Sequence, residues 1–495
     1  MDLSFWFFVS SGLFLGWSLG ANDAANIFGT AVATRMVQFR TAAILCAIFV
    51  LLGAVISGSG AAHTLGALGG VDRIAGAFMV ALAAALAVFS LLRSGLTAST
   101  SQAIIGAVVG WSLYNGRVID TTLLLQVVST WILCPLLAGV LAVILYKLTQ
   151  SWLDYCQPHL LRLDAYTRLA LLVTGAFGAY ALGANNIANV MGVFSLVSPF
   201  QDKFYEGFHF SATQQLFLLG SIAIGVGVFT YSKKVMMTVG NGLMQLSPAL
   251  AWVVVCAHSL VLFLFSSQTL QKWLIGLHLP ALPLVPVSST QAIIGAVVGI
   301  GLLRGGRGLN WRLLGRLGSS WALTPLVACL LAIIGLFLLQ NLFHQDIARQ
   351  ERYVLNRQTL HYLSQQGWQT EPLQRLSEVP FNSSQRLVEQ VERLQPLNDE
   401  QRRQLLYASY EGVFYLNAHK VGNLDLNWYS QAQWQALSQL AGRRFSYRWQ
   451  LEQALMEQSP AWRPGNGEGL GRFANQERQA KLQQIFRVFE VEPSQ

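Results

Sequence analysis

Charge is what this chain has least of. Only 12% of its 495 residues are Asp, Glu, Lys or Arg, about half of what a soluble protein carries, and the shortage is local. From His344 onward there are 17 basic and 16 acidic residues, which leaves 16 of the 33 basic and 8 of the 24 acidic side chains for the first 343 residues. Hydrophobic residues make up 53%. These proportions imply a membrane domain, 1–343, followed by a soluble domain, 344–495. The net charge of +9 belongs to membrane-flanking loops and gives no reason to expect nucleic acid as a partner. Cysteine is scarce as well: five, at 46, 134, 156, 256 and 329, with no CxxC pair. They read as small apolar filler. No basic segment precedes the first apolar stretch at Phe5, which is expected to be a spanning helix that is retained.

A spanning helix needs roughly 20 apolar residues. Eight segments qualify or nearly do: 4–20, 41–57, 74–92, 121–147, 168–183, 214–230, 246–266 and 316–341. Two weaker ones, 97–113 and 286–303, are too short and too rich in Ser, Thr and Gly for ordinary spans.

Those two weak segments hold an internal repeat. Gln102–Gly110 reads QAIIGAVVG, and Gln291–Gly299 reads the same nine residues. Ser99-Thr100-Ser101 before the first string answers to Ser288-Ser289-Thr290 before the second. Ser129-Thr130-Trp131 with Pro135 answers to Ser319-Ser320-Trp321 with Pro325. Near the start of each copy, Gly20-Ala21-Asn22-Asp23-Ala24-Ala25-Asn26 matches Gly183-Ala184-Asn185-Asn186-Ile187-Ala188-Asn189. Repeat one covers about 1–150 and repeat two about 165–343. The offset grows from 163 at the Asn motif to 189–190 later, and the polar loop 196–213 is a candidate insertion. Such repeats mark secondary transporters, with the site at the repeat interface. Lys and Arg fall in several loops, so the residues leave parallel and inverted copies both open.

Two groups of residues carry chemistry. Asp23 is the one acid well inside a membrane-depth stretch, where an ionisable group costs several kcal/mol unless paired or hydrated. Gly20, Asn22 and Asn26 around it disfavour a continuous helix. An unwound turn here would expose carbonyls that, with the Asn and Asp side chains, could coordinate Na⁺. The plainer reading, a small-residue helix contact bridged by Asn, explains Gly20 and Ala24 but not Asp23. The second group is Thr97-Ala98-Ser99-Thr100-Ser101-Gln102 with its counterpart Ser288-Ser289-Thr290-Gln291. Hydroxyls in a row before an apolar half-helix suit an anion held by free N–H groups and the positive end of the helix dipole. N-capping alone would need one such residue. His63 and His258 occur singly near apolar segments and read as structural. Pro135 and Pro325 are expected to kink or weaken matching helices. The tail, with Leu387, Val391 and Leu394 or Trp434, Leu437 and Leu440 at helical spacing, reads as a small helical domain of unassigned role.

At the paired Asn motifs and Ser/Thr turns the chain resembles the inorganic phosphate transporter family, over essentially all of 1–343. The resemblance implies an all-α integral membrane fold. It has two inverted repeats with discontinuous helices and re-entrant hairpins, often in a homodimer. It implies cation-driven uptake of an anion, phosphate in most members, with Na⁺ or H⁺ as the coupling ion and no other cofactor. By position, Asp23, Asn26, Thr100, Ser101, Gln102, Asn189, Ser289, Thr290 and Gln291 would hold the anion. The coupling cation is expected among Asn22, Asp23, Asn26 and Ser99 in copy one and Asn185, Asn186, Asn189 and Ser288 in copy two, with Na⁺ at Asp23. The expected setting is the bacterial cytoplasmic membrane, multi-pass, surrounded by lipid, and no enzymatic activity is implied. Two departures stand out. Asn186 replaces the usual Asp, so one fixed charge is missing, and Gln102 and Gln291 stand where the turn often ends in His, which excludes proton coupling through a hairpin imidazole.

Phosphate at neutral pH keeps an O–H that a carboxylate can accept, whereas sulfate has none and would be repelled. Asp23 therefore favours phosphate, Asn186 weakens that preference, and a sulfate or other oxyanion permease stays open. An anion channel is the reading from another class. Channel filters are rings repeated about an axis, and two hydroxyl-rich hairpins fit a closed binding site better. A membrane-anchored sensor working through its tail is the third reading.

Overall fold

The structure, a computed structural model, describes residues 3–94, 98–200, 203–205, 208–242, 247–277, 282–306, 308–422, 429–465 and 470–491. Thr97 lies outside them, as does the side chain of His63. The chain divides into two compact units. The first comprises Met1–Tyr114, Ile119–Lys272 and Ala281–Arg349; the second comprises Asn115–Val118, Trp273–Pro280 and Gln350–Gln495.

The first unit is built from α1 (Leu3–Ala33), α2 (Phe39–Ser57), α3 (Ser59–Gly69), α4 (Ile74–Arg93), α5 (Thr100–Tyr114) and α6 (Thr121–Cys156), then α7 (Leu160–Met191), α8 (Ala212–Thr230), α9 (Ser232–Gly242), α10 (Pro248–Ser266), α11 (Gln268–Gly276), α12 (Ser289–Leu303) and α13 (Trp311–Asn341). Eight of these helices are long and apolar enough to cross a membrane, and α12, at 15 residues, is not; α5 is equally short. Their outward faces are apolar: Leu125, Ile132 and Leu136 on α6 and Leu326, Leu330 and Phe337 on α13 are exposed, as lipid-facing residues are.

The Asn motifs correct the sequence reading. α1 and α7 run unbroken through Gly20–Asn26 and Gly183–Asn189. In an apolar surrounding each backbone group freed by unwinding costs several kcal/mol, whereas an interior Gly costs about 1 kcal/mol, so the helix persists. The breaks lie elsewhere, at Gly58 between α2 and α3, at Ser267 between α10 and α11, and in the extended residues before α5 and α12. Helices α6 and α13 continue through Pro135 and Pro325.

Contacts recur in pairs across the two sequence copies. A Cβ at Gly20 would strike the Ile224 carbonyl, and one at Gly183 would strike that of Val50. Gly53 abuts the Tyr180 carbonyl and Gly227 that of Trp17; Gly106 abuts the Pro325 carbonyl and Gly295 that of Pro135. In this way α1 packs on α8 and α7 on α2, while α5 packs on α13 and α12 on α6. The register also fixes direction. Gly106 and Gly110 meet Pro325 and Cys329 in rising order, and Gly295 and Gly299 meet Pro135 and Gly139 likewise, so each of these pairs runs parallel. Gly16 and Gly20 meet Gly220 and Ile224, so α1 and α8 are parallel too. The 174-residue spacing from Val50 to Ile224 and from Gly53 to Gly227 lies between 163 and 189. One insertion therefore falls across 196–213, where β1 (Lys203–Tyr205) pairs with β2 (Phe208–Phe210). The other falls between α10 and α12, where α11 lies.

The segment after α13 returns to the first unit, which moves the expected boundary at 343 to 349. Trp111 Nε1 donates to the Ile347 carbonyl at 3.1 Å, and the Arg349 N–H donates to Asp72 Oδ1 at 3.1 Å.

The second unit is not purely helical, contrary to the expectation for the tail. Its helices are α14 (Arg357–Gln365), α15 (Ser384–Glu392), α16 (Asp399–Ser409), α17 (Ala418–Gly422), α18 (Gln431–Gln439), α19 (Arg448–Gln458) and α20 (Leu470–Phe489). Strands β3 (Tyr353–Val354) and β4 (Pro380–Phe381) pair, and β5 (Glu411–Tyr415) lies between β6 (Arg444–Tyr447) and β7 (Glu490–Val491). These strands are two to five residues long, and β5 finds its partners far along the chain, so local periodicity carries no trace of the sheet. Leu363, Leu387, Leu405, Phe414, Leu437, Leu455 and Trp462 form its core. Tyr407 donates to Glu452, which also pairs with Arg478 at 2.7 Å; burial and that carboxylate push the phenol above its ordinary range.

Candidate functional site

The two Asn motifs and the two hairpin helix starts meet in one buried polar cluster. Asp23, Asn26, Asn186 and Asn189 are each at most 4% exposed, as are Thr100, Ser101, Ser289 and Thr290. Helical geometry explains the motif: Asn22, Asp23 and Asn26 at i, i+1 and i+4 share one side of α1, and Asn185, Asn186 and Asn189 repeat this on α7.

The hydrogen bonds also come in pairs. Asn22 Nδ2 donates to Asp23 Oδ1 at 2.7 Å and to the Ala98 carbonyl at 3.2 Å. In copy two, Asn185 Nδ2 donates to Asn186 Oδ1 at 3.2 Å and to the Val287 carbonyl at 2.9 Å. Each motif thus ties down the extended residues before a hairpin helix, α5 from copy one and α12 from copy two. The last Asn then crosses to the opposite copy. Asn26 Nδ2 donates to Ser289 Oγ at 3.0 Å and Thr290 Oγ1 at 3.3 Å, and Asn189 Nδ2 donates to Ser101 Oγ at 2.8 Å. Between the halves, Asn186 Nδ2 donates to Asp23 Oδ2 at 3.2 Å. The carboxylate is therefore held by two amides, Asn22 and Asn186.

Ser99 and Ser288, expected among cation ligands, are helix caps. Their hydroxyls accept the Gln102 and Gln291 N–H groups, each at 3.3 Å. Capping fixes where the half-helices begin and so aims the N–H groups that follow. Gln102 Oε1, Gln291 Oε1 and Asn189 Oδ1 are buried acceptors without a partner. Carboxylate and amide oxygens are the ligand types that a hard cation takes. A half-turn of either Gln amide presents Nε2 to an anion instead.

Sequence reasoning missed three features. His258, taken as structural, lies wholly buried with Nε2 2.9 Å from Ser289 Oγ and with Nδ1 unpartnered. The signal was available: it is an ionisable side chain midway along a spanning helix, the criterion that picked out Asp23. The Ala98 and Val287 carbonyls could not be read from side-chain identities. The indole N–H groups of Trp131 and Trp321, at matched positions one turn before Pro135 and Pro325, are buried without partners.

A family model described as the phosphate transporter family matches residues 19–332 and again 284–385. The chain belongs to the phosphate transporter family. It is similar to a candidate phosphate permease of Thermococcus kodakarensis, 25% identical over 65% of this chain and 94% of that one. It is also similar to a candidate low-affinity inorganic phosphate transporter of Bacillus subtilis, 27% identical over 66% of this chain and 93% of the relative. The solved structure of a sodium-dependent phosphate transporter shares the fold, with a TM-score of 0.54 at 21% identity, over 68% of this chain and 98% of that one. The molecule is thus a multi-pass membrane protein of a transporter family rather than an enzyme family, and the family's substrate is phosphate.

Proposed function

We propose that the chain is a symporter that moves inorganic phosphate across a membrane together with a cation, Na⁺ or H⁺. One observation carries this reading. Two capped half-helix starts, Thr100-Ser101 and Ser289-Thr290, are bridged by Asn189 and Asn26 around the Asp23–Asn186 pair. The half-helices offer N–H groups and hydroxyls to an oxyanion, and Asp23 with the unmet Gln and Asn oxygens offers a cation its ligands beside it. Two ligands that meet around one carboxylate are coupled by mutual charge compensation.

Helix directions support an inverted arrangement of the copies. Loop 34–38 has five residues, a reach of about 17 Å against a hydrocarbon core of about 30 Å, so α1 and α2 run oppositely. α7 packs on α2 in rising register, Gly53 near Tyr180 and Gly58 near Ile187, so α7 opposes its counterpart α1. Copies related in this way suit alternating access about a shared site. We place the protein in a bacterial cytoplasmic membrane, surrounded by lipid, as a homodimer.

Uptake of labelled phosphate and labelled sulfate into proteoliposomes tests the reading. Saturable phosphate accumulation that requires a cation gradient is expected. Sulfate uptake uncompeted by phosphate would replace phosphate with sulfate, a reading favoured by the single fixed charge that Asn186 leaves. Flux that never exceeds the imposed gradient would identify a channel.

A further inference from the structure

We propose that His258 is the proton carrier of the anion site, protonated while the oxyanion is bound and neutral when it has left. A proton then crosses with each anion. The proposal rests on the phosphate reading above and adds to it the identity of a coupling ion.

Hydrogen-bond arithmetic points to it. Ser289 Oγ accepts from Asn26 Nδ2 at 3.0 Å and also faces His258 Nε2 at 2.9 Å. In either neutral tautomer the imidazole leaves Nδ1 unmet, as a buried donor in one and a buried acceptor in the other, and a buried polar atom without a partner is unfavourable. In the protonated ring Nε2–H donates to Ser289 and frees that hydroxyl's own proton for the anion, while Nδ1–H becomes a donor that an oxyanion or a bridging water can accept. An anion in the site would supply both a partner and a counter-charge.

The charges around the ring agree. α10 packs against α1, α3, α6, α7 and α12. α12 brings no titratable side chain, α1 brings Asp23 alone, and His63 on α3 has no described side chain. α6 brings Cys134 at the hairpin, its thiol 3.8 Å from the Ser288 carbonyl, and Tyr146, Lys147, Asp154, Tyr155 and Cys156 toward its far end. α7 brings Tyr180, held by Ser57 at 2.7 Å, and Arg162, Asp164, Tyr166 and Arg168 at its start. Among these, His258 is the cation-forming group in contact with a hairpin hydroxyl. A doubly charged oxyanion beside the Asp23 carboxylate needs added positive charge, and a protonated His258 supplies one unit. The proton comes from water on the side where the anion enters and leaves to water on the other side, so the cycle balances.

The test uses the full-length protein in sodium-free proteoliposomes. Labelled phosphate exchange without any gradient is measured first, then accumulation under an inward proton gradient of one pH unit. A gradient of that size drives about tenfold accumulation per proton carried. The expected ratio of gradient-driven to gradient-free phosphate is about ten for the natural chain and about one for His258→Gln, whatever the variant's exchange rate. Ser289→Ala should lower the ratio as well. Exchange by the natural chain without gradient-driven accumulation overturns the proposal without recourse to any variant, and so does an undiminished ratio in His258→Gln. Phosphate exchange that appears only when sodium is added overturns the proposal and leaves the phosphate reading standing, whereas no exchange with or without sodium overturns the phosphate reading beneath it.

Discussion

On α1 the turn that faces the polar cluster carries Asn22, Asp23 and Asn26; on α7 the matching turn carries Asn185, Asn186 and Asn189. The outer two residues of each turn do the same work in both halves, one tying the segment just before a hairpin helix, the other reaching a hydroxyl of the opposite copy. Only the middle residues differ, and they face each other, an amide donating to a carboxylate. The scaffold is therefore duplicated and the charge is not. His258 deepens the difference, since it touches the copy-two hairpin at Ser289. Where two carboxylates would stand at the axis, like charges would force a shared proton or two bound cations. One carboxylate and one amide need neither.

The sharpest way to break this comparison is to make the middle residues identical. Asp23→Asn leaves two amides and no fixed charge. Coupled uptake should fall about 100-fold or more, the loss of charge-assisted contacts worth roughly 3 kcal/mol, while membrane insertion by fluorescence size-exclusion is unchanged. Near-normal transport would remove Asp23 from the ion site. Asn186→Asp makes the pair alike in the other sense. Its expected signature is a steeper dependence on cation concentration and a several-fold fall in the sulfate-to-phosphate uptake ratio. An identical cation curve would place Asn186 outside the ion site.

A smaller effect tests the duplicated scaffold itself. Gly20→Ala and Gly183→Ala each drive a methyl into a backbone carbonyl on the partner copy. Each should cost about 1–3 kcal/mol, read as a lowered melting temperature in detergent. Equal losses support equivalent packing, and a loss confined to one half argues against it. The smallest effect concerns the tail. A chain ending at Arg349 should keep most of its phosphate uptake, whereas one ending at Phe343 also loses Ile347 and Arg349 from α5 and Asp72 and should express less folded protein.

Much of this was legible beforehand. The nine-residue identity marked both hairpins, and a lone acid in an apolar stretch marked Asp23. Sequence spacing misjudged the continuity of α1 and α7 because it weighs Gly and Asn as local breakers. In lipid the backbone's need for internal partners outweighs that preference, and Gly20 is there for the approach of Ile224. His258 was passed over because a single histidine has no partner visible in the linear chain. Ser289, which gives it meaning, arrives from another helix.

The exchange of braces between the copies has a mechanical consequence. Each half-helix leans on the long proline-containing helix of the other copy, α5 on α13 and α12 on α6, with backbone against backbone and no flexible side chain between. Such a joint cannot absorb slack by switching rotamers. A tilt of α13 is therefore passed to α5, and a tilt of α6 to α12, as a rigid displacement of one backbone by the other.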